Sequence, residues 1–285
     1  MSNTNSTPGF NFGSVYGEPD RTTPNPGLFG PQSVSWLVHQ DPSAAVAGIR
    51  ALLMQALHPE AMAGVAKNST YKDDPWGRII RTAQYIAVTT FGTTAEAEAA
   101  GSRVRMIHQK LGVDRPDLLL WVHLGFVDSL LSAAQLSGIA TDPAIADKYV
   151  AEQQIAARLI GATDAPTTVL ELKDAIDSYL PVLGASKEAK DAARFIAFPP
   201  MPLKTRLLTP AAPAWASVAA TAFALLPSWG REMYGGAIFG PALKLPLLEG
   251  QGEVSLKAWR TALMFLPASL RSSPEVEAAK ARLNL

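Results

Sequence analysis

The sequence predicts an all-α protein, with about ten helices packed in a single domain. Apolar residues recur three and four positions apart through most of the chain, whereas the strict alternation typical of strands is scarce. Proline or threonine precedes many of these segments and glycine often follows them, as at helix ends. At 285 residues and 48% hydrophobic composition, the chain can bury a large core.

The first 31 residues predict an irregular N-terminal arm, because they are rich in Gly, Pro, Asn and Thr. We place the all-α domain at residues 32–285. The arm lacks a charged start followed by an apolar run, so we expect no secretory signal peptide and a cytoplasmic protein. Residues 210–227, "PAAPAWASVAATAFALLP", are too few for a comfortable bilayer span. They predict a buried or interfacial helix, which leaves peripheral membrane contact open.

Local signals then predict the helices in order. Pro42 in a first turn predicts a helix that stops near His58, and Pro75 predicts one over about 74–90. Thr94 is the expected N-cap of a helix that closes at Gly112. Further helices are predicted at about 116–136, 142–161, 168–180, 187–195, 213–226, 256–265 and 274–283.

Composition excludes several classes of function. The formal net charge is zero and no Lys/Arg-rich run is present, so we expect no nucleic-acid partner. With no cysteine, any metal must be bound by His, Asp or Glu. The chain also lacks the common zinc motifs, the serine nucleophile elbow, the phosphate loop and the dinucleotide fingerprint.

Polar side chains concentrate on the helix predicted over 74–90. Residues three, four and seven positions apart share one side of a helix. Arg78, Arg81, Thr82 and Tyr85 therefore line one stripe. Such a stripe is either a solvated helix surface or the rim of a reactive site.

Histidine is scarce, with four residues in the chain. His108 falls on the same side of its helix as Val104, Ile107 and Leu111, so its imidazole is expected to point inward. His58 and His123 are also expected to point inward. His39 is expected to be a surface or packing residue.

Each of these residues also has a plain structural explanation. A lone histidine on an apolar helix side usually bonds to a carbonyl or carboxylate within the core. Helical arginines usually pair with acids such as Asp73 or Asp74, and a mid-helix Thr82 often bonds back to a carbonyl. Spacing alone leaves both explanations open.

Several stretches resemble one family of enzymes. They include "HPEAMAGVAKNSTYKDDPWGRIIRTAQY", "RVRMIHQKLG", "DLLLWVHLGFVDSLL" and "LLPSWGREMYG". From about Ser33 to Tyr234 the chain is similar to the haem-dependent oxygenases that include latex clearing protein (rubber oxygenase) and the fungal oxygenase of mycophenolic acid biosynthesis. The resemblance implies an all-α fold around a buried haem pocket, a b-type haem, and O2 insertion across a carbon–carbon double bond of an isoprenoid.

The resemblance also implies roles for individual residues. His108 falls where the family has its proximal haem-iron ligand. Arg78, Arg81 and Thr82 match the family's catalytic Arg-x-x-Lys-Thr segment on the distal side, with Arg81 in place of the lysine. Because arginine stays protonated, a lysine-capped iron is not expected here. Arg78 is also a candidate for binding the haem propionates.

His58 and His123 match the family's "HP" and "WVH" signatures. We expect them in the haem-binding region as supporting residues, and both remain alternatives to His108 as the iron ligand. Phe126 and Leu130 either line an apolar pocket or pack in the core.

The implied function is a haem b-dependent oxygenase that uses O2 on a small, apolar, unsaturated isoprenoid or lipid-like substrate. Two alternatives stay open. One is a haem-binding, peroxidase-like protein without alkene cleavage, and the other is a haem-free all-α binding protein. The sequence reveals neither the substrate nor the oligomeric state.

Overall fold

A computed structural model describes residues 15–68, 75–201, 209, 211–235, 250–267 and 272–285. Over these residues the chain forms thirteen α-helices, one 3₁₀ turn and no strand, which confirms the all-α prediction. The helices are α1 Val34–Gln40, α2 Ser43–Gln55, α3 Pro59–Asn68, α4 Pro75–Phe91, α5 Thr94–Leu111, α6 Pro116–Leu136, α7 Pro143–Ile160, α8 Val169–Tyr179, α9 Lys187–Ala197, α10 Ala211–Ala224, α11 Ser228–Met233, α12 Gln251–Met264 and α13 Pro274–Leu283.

The prediction of about ten helices was low, because short helices were missed. The helix expected over 42–58 ends at Gln55, and His58 then begins α3 by accepting a hydrogen bond from the Ala61 N–H on its Nδ1, at 3.5 Å. The short helices α1 and α11 were also missed. The cap of α5 is Thr93 rather than Thr94, with a reciprocal bond between Thr93 and Glu96.

The core is centred on α2 and α6. The two helices pack closely at Gly125, where an added Cβ would lie 3.4 Å from both Gln55 Cγ and Met54 Cβ, an ordinary van der Waals contact. Trp121 and Leu124 on α6 are fully buried at this interface. The large apolar cluster around them extends to α7, α8, α9, α10 and α12. Folding of this centre therefore depends on ordinary apolar burial.

The described part of the arm, residues 15–31, contains no helix and packs along α4, α5 and α13. The Arg103 guanidinium donates to the Val15 carbonyl at 2.9 Å, and the buried Arg282 donates to the Asn25 carbonyl at 2.8 Å. Gly27 has φ +79°, and a Cβ on it would collide with the Gly92 carbonyl oxygen. The boundary between residues 31 and 32 stays a prediction, and residues 1–14 lie outside the described chain.

Among the described residues, α6 is the helix long and apolar enough to cross a membrane, and 67% of its most apolar window is buried inside the protein. That burial is typical of a core helix. The apolar segment predicted over 210–227 forms α10, which has 14 residues and contributes Ala219, Ala222 and Phe223 to the core.

Candidate functional site

The α4–α5 pair is a helical hairpin joined by Gly92 and Thr93. The helices run in opposite directions, so the first turns of α4 lie beside the last turns of α5. Arg78 and His108 meet in this way, and the Arg78 charge contributes to lowering the pKa of His108. We define the α4–α5 face by Arg78, Thr82 and Tyr85 on α4 and His108 on α5.

His108 carries an unsatisfied group on this face. Its Nδ1 is buried and has no hydrogen-bond partner among the described residues. Burial lowers the pKa of His108 below its ordinary value, and Arg78 lowers it further while Asp114 raises it. The imidazole is therefore neutral at neutral pH, which is the form that can bind a metal.

The prediction that His108 points inward with Ile107 and Leu111 is partly wrong. Ile107 and Leu111 are 44% and 40% exposed. His108 itself is only partly buried. This side of α5 faces outward, because no described helix covers it.

The polar stripe on α4 is graded in exposure. Arg78 is partly buried, whereas Arg81 and Thr82 are exposed. The Thr82 hydroxyl donates to the Arg78 carbonyl at 3.0 Å, as the structural explanation predicted. Asp73 and Asp74, the predicted partners of the arginines, lie outside the described residues.

Tyr85 ends the stripe with a second unsatisfied group. Its hydroxyl is buried and has no hydrogen-bond partner among the described residues. Leaving such a group unpaired costs about 1–3 kcal/mol of folding free energy. Sequence reasoning placed Tyr85 on the stripe but gave it no role, and only its burial distinguishes it from an exposed helical tyrosine.

His58 and His123 are inward, as predicted, at 5% and 4% exposure. The His58 ring lies 6.3 Å from the Trp121 ring and 6.0 Å from the Tyr179 ring, so its aromatic neighbours come from α6 and α8. Burial lowers the pKa of His123 to about 4. Both histidines occupy the core, while His108 lies on the α4–α5 face.

His39 is a packing residue that joins three helices. Its Nδ1 lies 2.8 Å from Thr90 Oγ1 on α4, and its Nε2 lies 3.0 Å from the Tyr149 hydroxyl on α7. The Phe126 ring packs edge-on against it at 5.6 Å, and Leu130 is buried in the core. Phe126 and Leu130 thus have the packing role that was one of their two predicted explanations.

A cavity of about 370 Å³ lies elsewhere, between the ends of α1, α12 and α13. Its lining includes Leu37, Asp41, Arg260 and Val276, and none of the predicted site residues. The buried haem pocket therefore stays a prediction.

No group of three or more His, Asp or Glu side chains among the described residues could hold a bare metal ion. A haem iron differs, because the porphyrin supplies four ligands and the protein supplies one or two. A single histidine such as His108 therefore meets the protein's share.

The sequence model of one protein family, described as "ER-bound oxygenase mpaB/B'/Rubber oxygenase, catalytic domain", matches residues 36–243. The match covers well over half of the chain and includes every predicted site residue. Comparison with curated proteins and with solved structures gave no match.

Proposed function

We propose that this chain, which belongs to the family of ER-bound mpaB-type and rubber oxygenase catalytic domains, is a haem b-dependent oxygenase. Oxygenase chemistry follows from the family, which is generally haem-associated. The specific proposal is that the chain binds haem b through His108 and uses O2 on a small, apolar, unsaturated isoprenoid or lipid-like substrate.

The observation that carries the proposal is the buried Nδ1 of His108, which has no hydrogen-bond partner among the described residues. Buried imidazole nitrogens are nearly always satisfied, so this one needs a further partner, and a ligand bound on the α4–α5 face would account for it. The pKa of His108 is already lowered by burial and by Arg78, which keeps the ring neutral for iron. The residues present therefore fit a histidine-ligated haem.

The surroundings of His108 also suit a flat, apolar macrocycle with two carboxylates. Leu111, three residues after His108 and so on the same side of α5, offers exposed apolar surface near the imidazole, and the neighbouring Ile107 is exposed as well. Covering that surface with a porphyrin would remove it from water, at roughly 25 cal/mol per Å². Arg78 and Arg81 add the cations that carboxylates or a charged substrate group require.

When bound, the haem supplies the iron at which O2 is activated. The chain's own residues would position the haem and set the charge around it. Arg78, whose charge acts on His108, brings a permanent positive charge to the side of the haem that His108 would hold, where it can pair with a propionate. The proton of Thr82 Oγ1 is committed to the Arg78 carbonyl, so Thr82 can offer only lone pairs unless that bond breaks.

Arg81 replaces the lysine that the resemblance leads one to expect. A guanidinium remains protonated and has no free lone pair, so it cannot ligate iron. We therefore propose an open distal site, with Arg81 acting by charge alone. Replacing Arg81 with lysine should shift the Soret maximum of the ferric protein at alkaline pH, when the new amine can bind the iron.

Absorption spectroscopy tests the iron ligand. Wild-type protein expressed with ample haem should show a Soret band, and His108→Ala should lose it. His58→Ala and His123→Ala are the matched controls, because both residues lie in the core and were the alternative ligands; both should retain the band. A band that survives in His108→Ala and disappears in either control would move the ligand there.

Product analysis tests the reaction. Haem-loaded protein with O2 and a polyisoprenoid or an unsaturated lipid should release carbonyl fragments. A Soret band without such products would favour the peroxidase-like alternative. Colourless protein without iron would favour the haem-free binding protein.

We further propose a cytoplasmic location with membrane contact that is peripheral at most. The family description includes ER-bound members, while the one described helix long enough to cross a membrane, α6, is mostly buried. Protein that fractionates with membranes and resists an alkaline carbonate wash would contradict this location.

A further inference from the structure

The Tyr85 hydroxyl differs from the other buried tyrosine hydroxyls of the described chain. Those of Tyr149 and Tyr234 lie within 3.0 Å of a hydrogen-bond partner, His39 Nε2 and the Leu53 carbonyl respectively. The Tyr85 hydroxyl is also buried and has no hydrogen-bond partner among the described residues. Buried phenols normally find one, so a partner for Tyr85 is missing.

Tyr85 lies on the same side of α4 as Arg78 and Thr82, seven and three residues further along the helix. Seven residues span about 10 Å along the axis. Arg78 is the residue of this stripe whose charge acts on His108. An extended group centred near His108 and running along the α4–α5 face would thus reach the Tyr85 hydroxyl.

The N-terminal arm covers the outer side of Tyr85. The rings of Tyr16 and Tyr85 lie 6.3 Å apart, and the Arg103 guanidinium sits 6.0 Å from the centre of the Tyr16 ring. The Val15 carbonyl holds Arg103 in place at 2.9 Å. Tyr16 therefore covers one side of Tyr85, and the α4–α5 face is the side that it leaves for a partner.

The positive charges near the Tyr85 hydroxyl favour an anion as its hydrogen-bond acceptor. Arg78 and Arg81 lie on the same helix, and Arg103 lies beyond Tyr16. Burial raises the pKa of Tyr85 far above its ordinary value, so the phenol keeps its proton and donates. A proton donor among guanidiniums is the usual environment of a bound carboxylate.

Building on the haem-binding function proposed above, we propose that the Tyr85 hydroxyl donates a hydrogen bond to a propionate carboxylate of the bound haem. Tyr85 is then a cofactor-binding residue on the α4–α5 face, and Tyr16 shields its bond from water. The haem-free protein carries the unpaired hydroxyl as a loss of stability that haem binding removes.

Tyr85→Phe tests this role, because it removes the hydroxyl and keeps the ring. In the haem-free protein the variant loses no bond and relieves an unsatisfied group, so its thermal midpoint should rise by about 2 °C. In a Soret titration of the same protein with haemin, its affinity should fall about tenfold. A lower midpoint or an unchanged affinity would overturn the assignment.

Tyr234→Phe is the matched control. Its hydroxyl donates to the Leu53 carbonyl at 2.8 Å in the core, so the variant should have a lower thermal midpoint and an unchanged affinity for haemin. An equal loss of affinity in both variants would mean that the loss reflects general destabilisation, and would overturn the role of Tyr85.

Haemin dimethyl ester identifies the acceptor as a carboxylate. Wild type should bind the ester more weakly than haemin, and Tyr85→Phe should show a smaller difference between the two, as in a double-mutant cycle. An equal difference in both proteins would overturn the carboxylate as acceptor. A wild type that binds no haemin would overturn the proposed function, whereas normal binding by Tyr85→Phe would overturn this inference alone.

Discussion

The α2–α6 pair and the α4–α5 pair are both long helices packed side by side, yet they treat polar groups in opposite ways. Between α2 and α6, Arg50 donates to Asp128 and Ser129 at 2.7 Å each. Trp121 Nε1 donates to the Gln55 carbonyl at 3.1 Å. Neither helix carries a buried side-chain N or O without a partner. This pair is complete within its own chain.

Between α4 and α5, His108 Nδ1 and the Tyr85 hydroxyl are buried without partners among the described residues, and apolar side chains of α5 face outward. Each of these features lowers the stability of the protein alone. Sequences keep such features where a site needs them and compensate elsewhere. The difference between the pairs is the one expected if α2 and α6 provide stability and the α4–α5 face binds the proposed haem.

The largest expected effect comes from removing apolar volume at matched leucines. Leu124 on α6 is fully buried and Leu111 on α5 is exposed. Leu124→Ala should lower the free energy of unfolding of the haem-free protein by about 2–5 kcal/mol. Leu111→Ala should change it by less than about 0.5 kcal/mol. Urea denaturation measures both, and a comparable loss in the two variants would contradict the contrast.

The ion pair of the α2–α6 pair gives the next effect. Arg50→Ala removes the donor to Asp128 and Ser129. It also removes the hydrogen bond from Arg50 to the Leu225 carbonyl. The expected decrease in the free energy of unfolding is about 3 kcal/mol. The exposed Arg115, which pairs with Glu60 and Asp117, is the control. Arg115→Ala should show no measurable change in urea, since water replaces its partners.

The helix ends that sequence predicted are those with local signals. Thr168 and Asp142 cap α8 and α7 with their own side chains, and Gly112 and Gly161 end α5 and α7 in the left-handed conformation. Each signal lies within one turn of the helix that it bounds, so it can be recognised without knowing the fold.

The missed elements depend on distant residues. The first turn of α1 is stabilised by the Glu152 carboxylate of α7, which accepts from the Val34 and Ser35 N–H groups at 3.2 and 2.8 Å. His58 begins α3 with a ring nitrogen instead of a usual capping oxygen. Neither bond can be read from local sequence.

At the candidate site, too, sequence predicted the local features and missed those that depend on the tertiary fold. Periodicity placed Arg78, Arg81, Thr82 and Tyr85 on one side of a helix, and it placed His108 with Ile107 and Leu111. It could not tell which sides another helix covers, because coverage is a property of the tertiary fold. The exposure of Ile107 and Leu111 and the unpaired Tyr85 hydroxyl thus appear only in the structure.

Acid should weaken the protein through the histidine of α6. His123 has a pKa of about 4 in the folded chain and 6.5 when unfolded. As pH falls from 6.5 to 4, the unfolded chain takes up a proton that the folded chain does not, so the free energy of unfolding should fall by about 3 kcal/mol. Above pH 6.5 this contribution is constant.

The pH dependence is measured by urea denaturation of wild type and His123→Gln between pH 7 and pH 4.5. In His123→Gln, the free energy of unfolding should depend much less on pH. The dependence that remains should come largely from His39, because burial lowers its pKa to about 3. His108→Gln should flatten the curve less, since Asp114 opposes the fall of its pKa. If His108→Gln reduced the pH dependence of the free energy of unfolding more than His123→Gln does, the leading role given to His123 on α6 would be wrong.

The smallest effect measures how tightly α2 and α6 fit. Alanine is favoured over glycine within a helix by about 1 kcal/mol. At Gly48 on α2 a Cβ meets nothing within 4 Å, so Gly48→Ala should gain most of that amount. At Gly125 the Cβ would touch Gln55 Cγ and Met54 Cβ at 3.4 Å, an ordinary contact that offsets little of the gain. Gly125→Ala should therefore also raise the thermal midpoint, but by less than Gly48→Ala. A lower thermal midpoint in Gly125→Ala would contradict this prediction. It would show that the α2–α6 interface cannot accommodate one added methyl group.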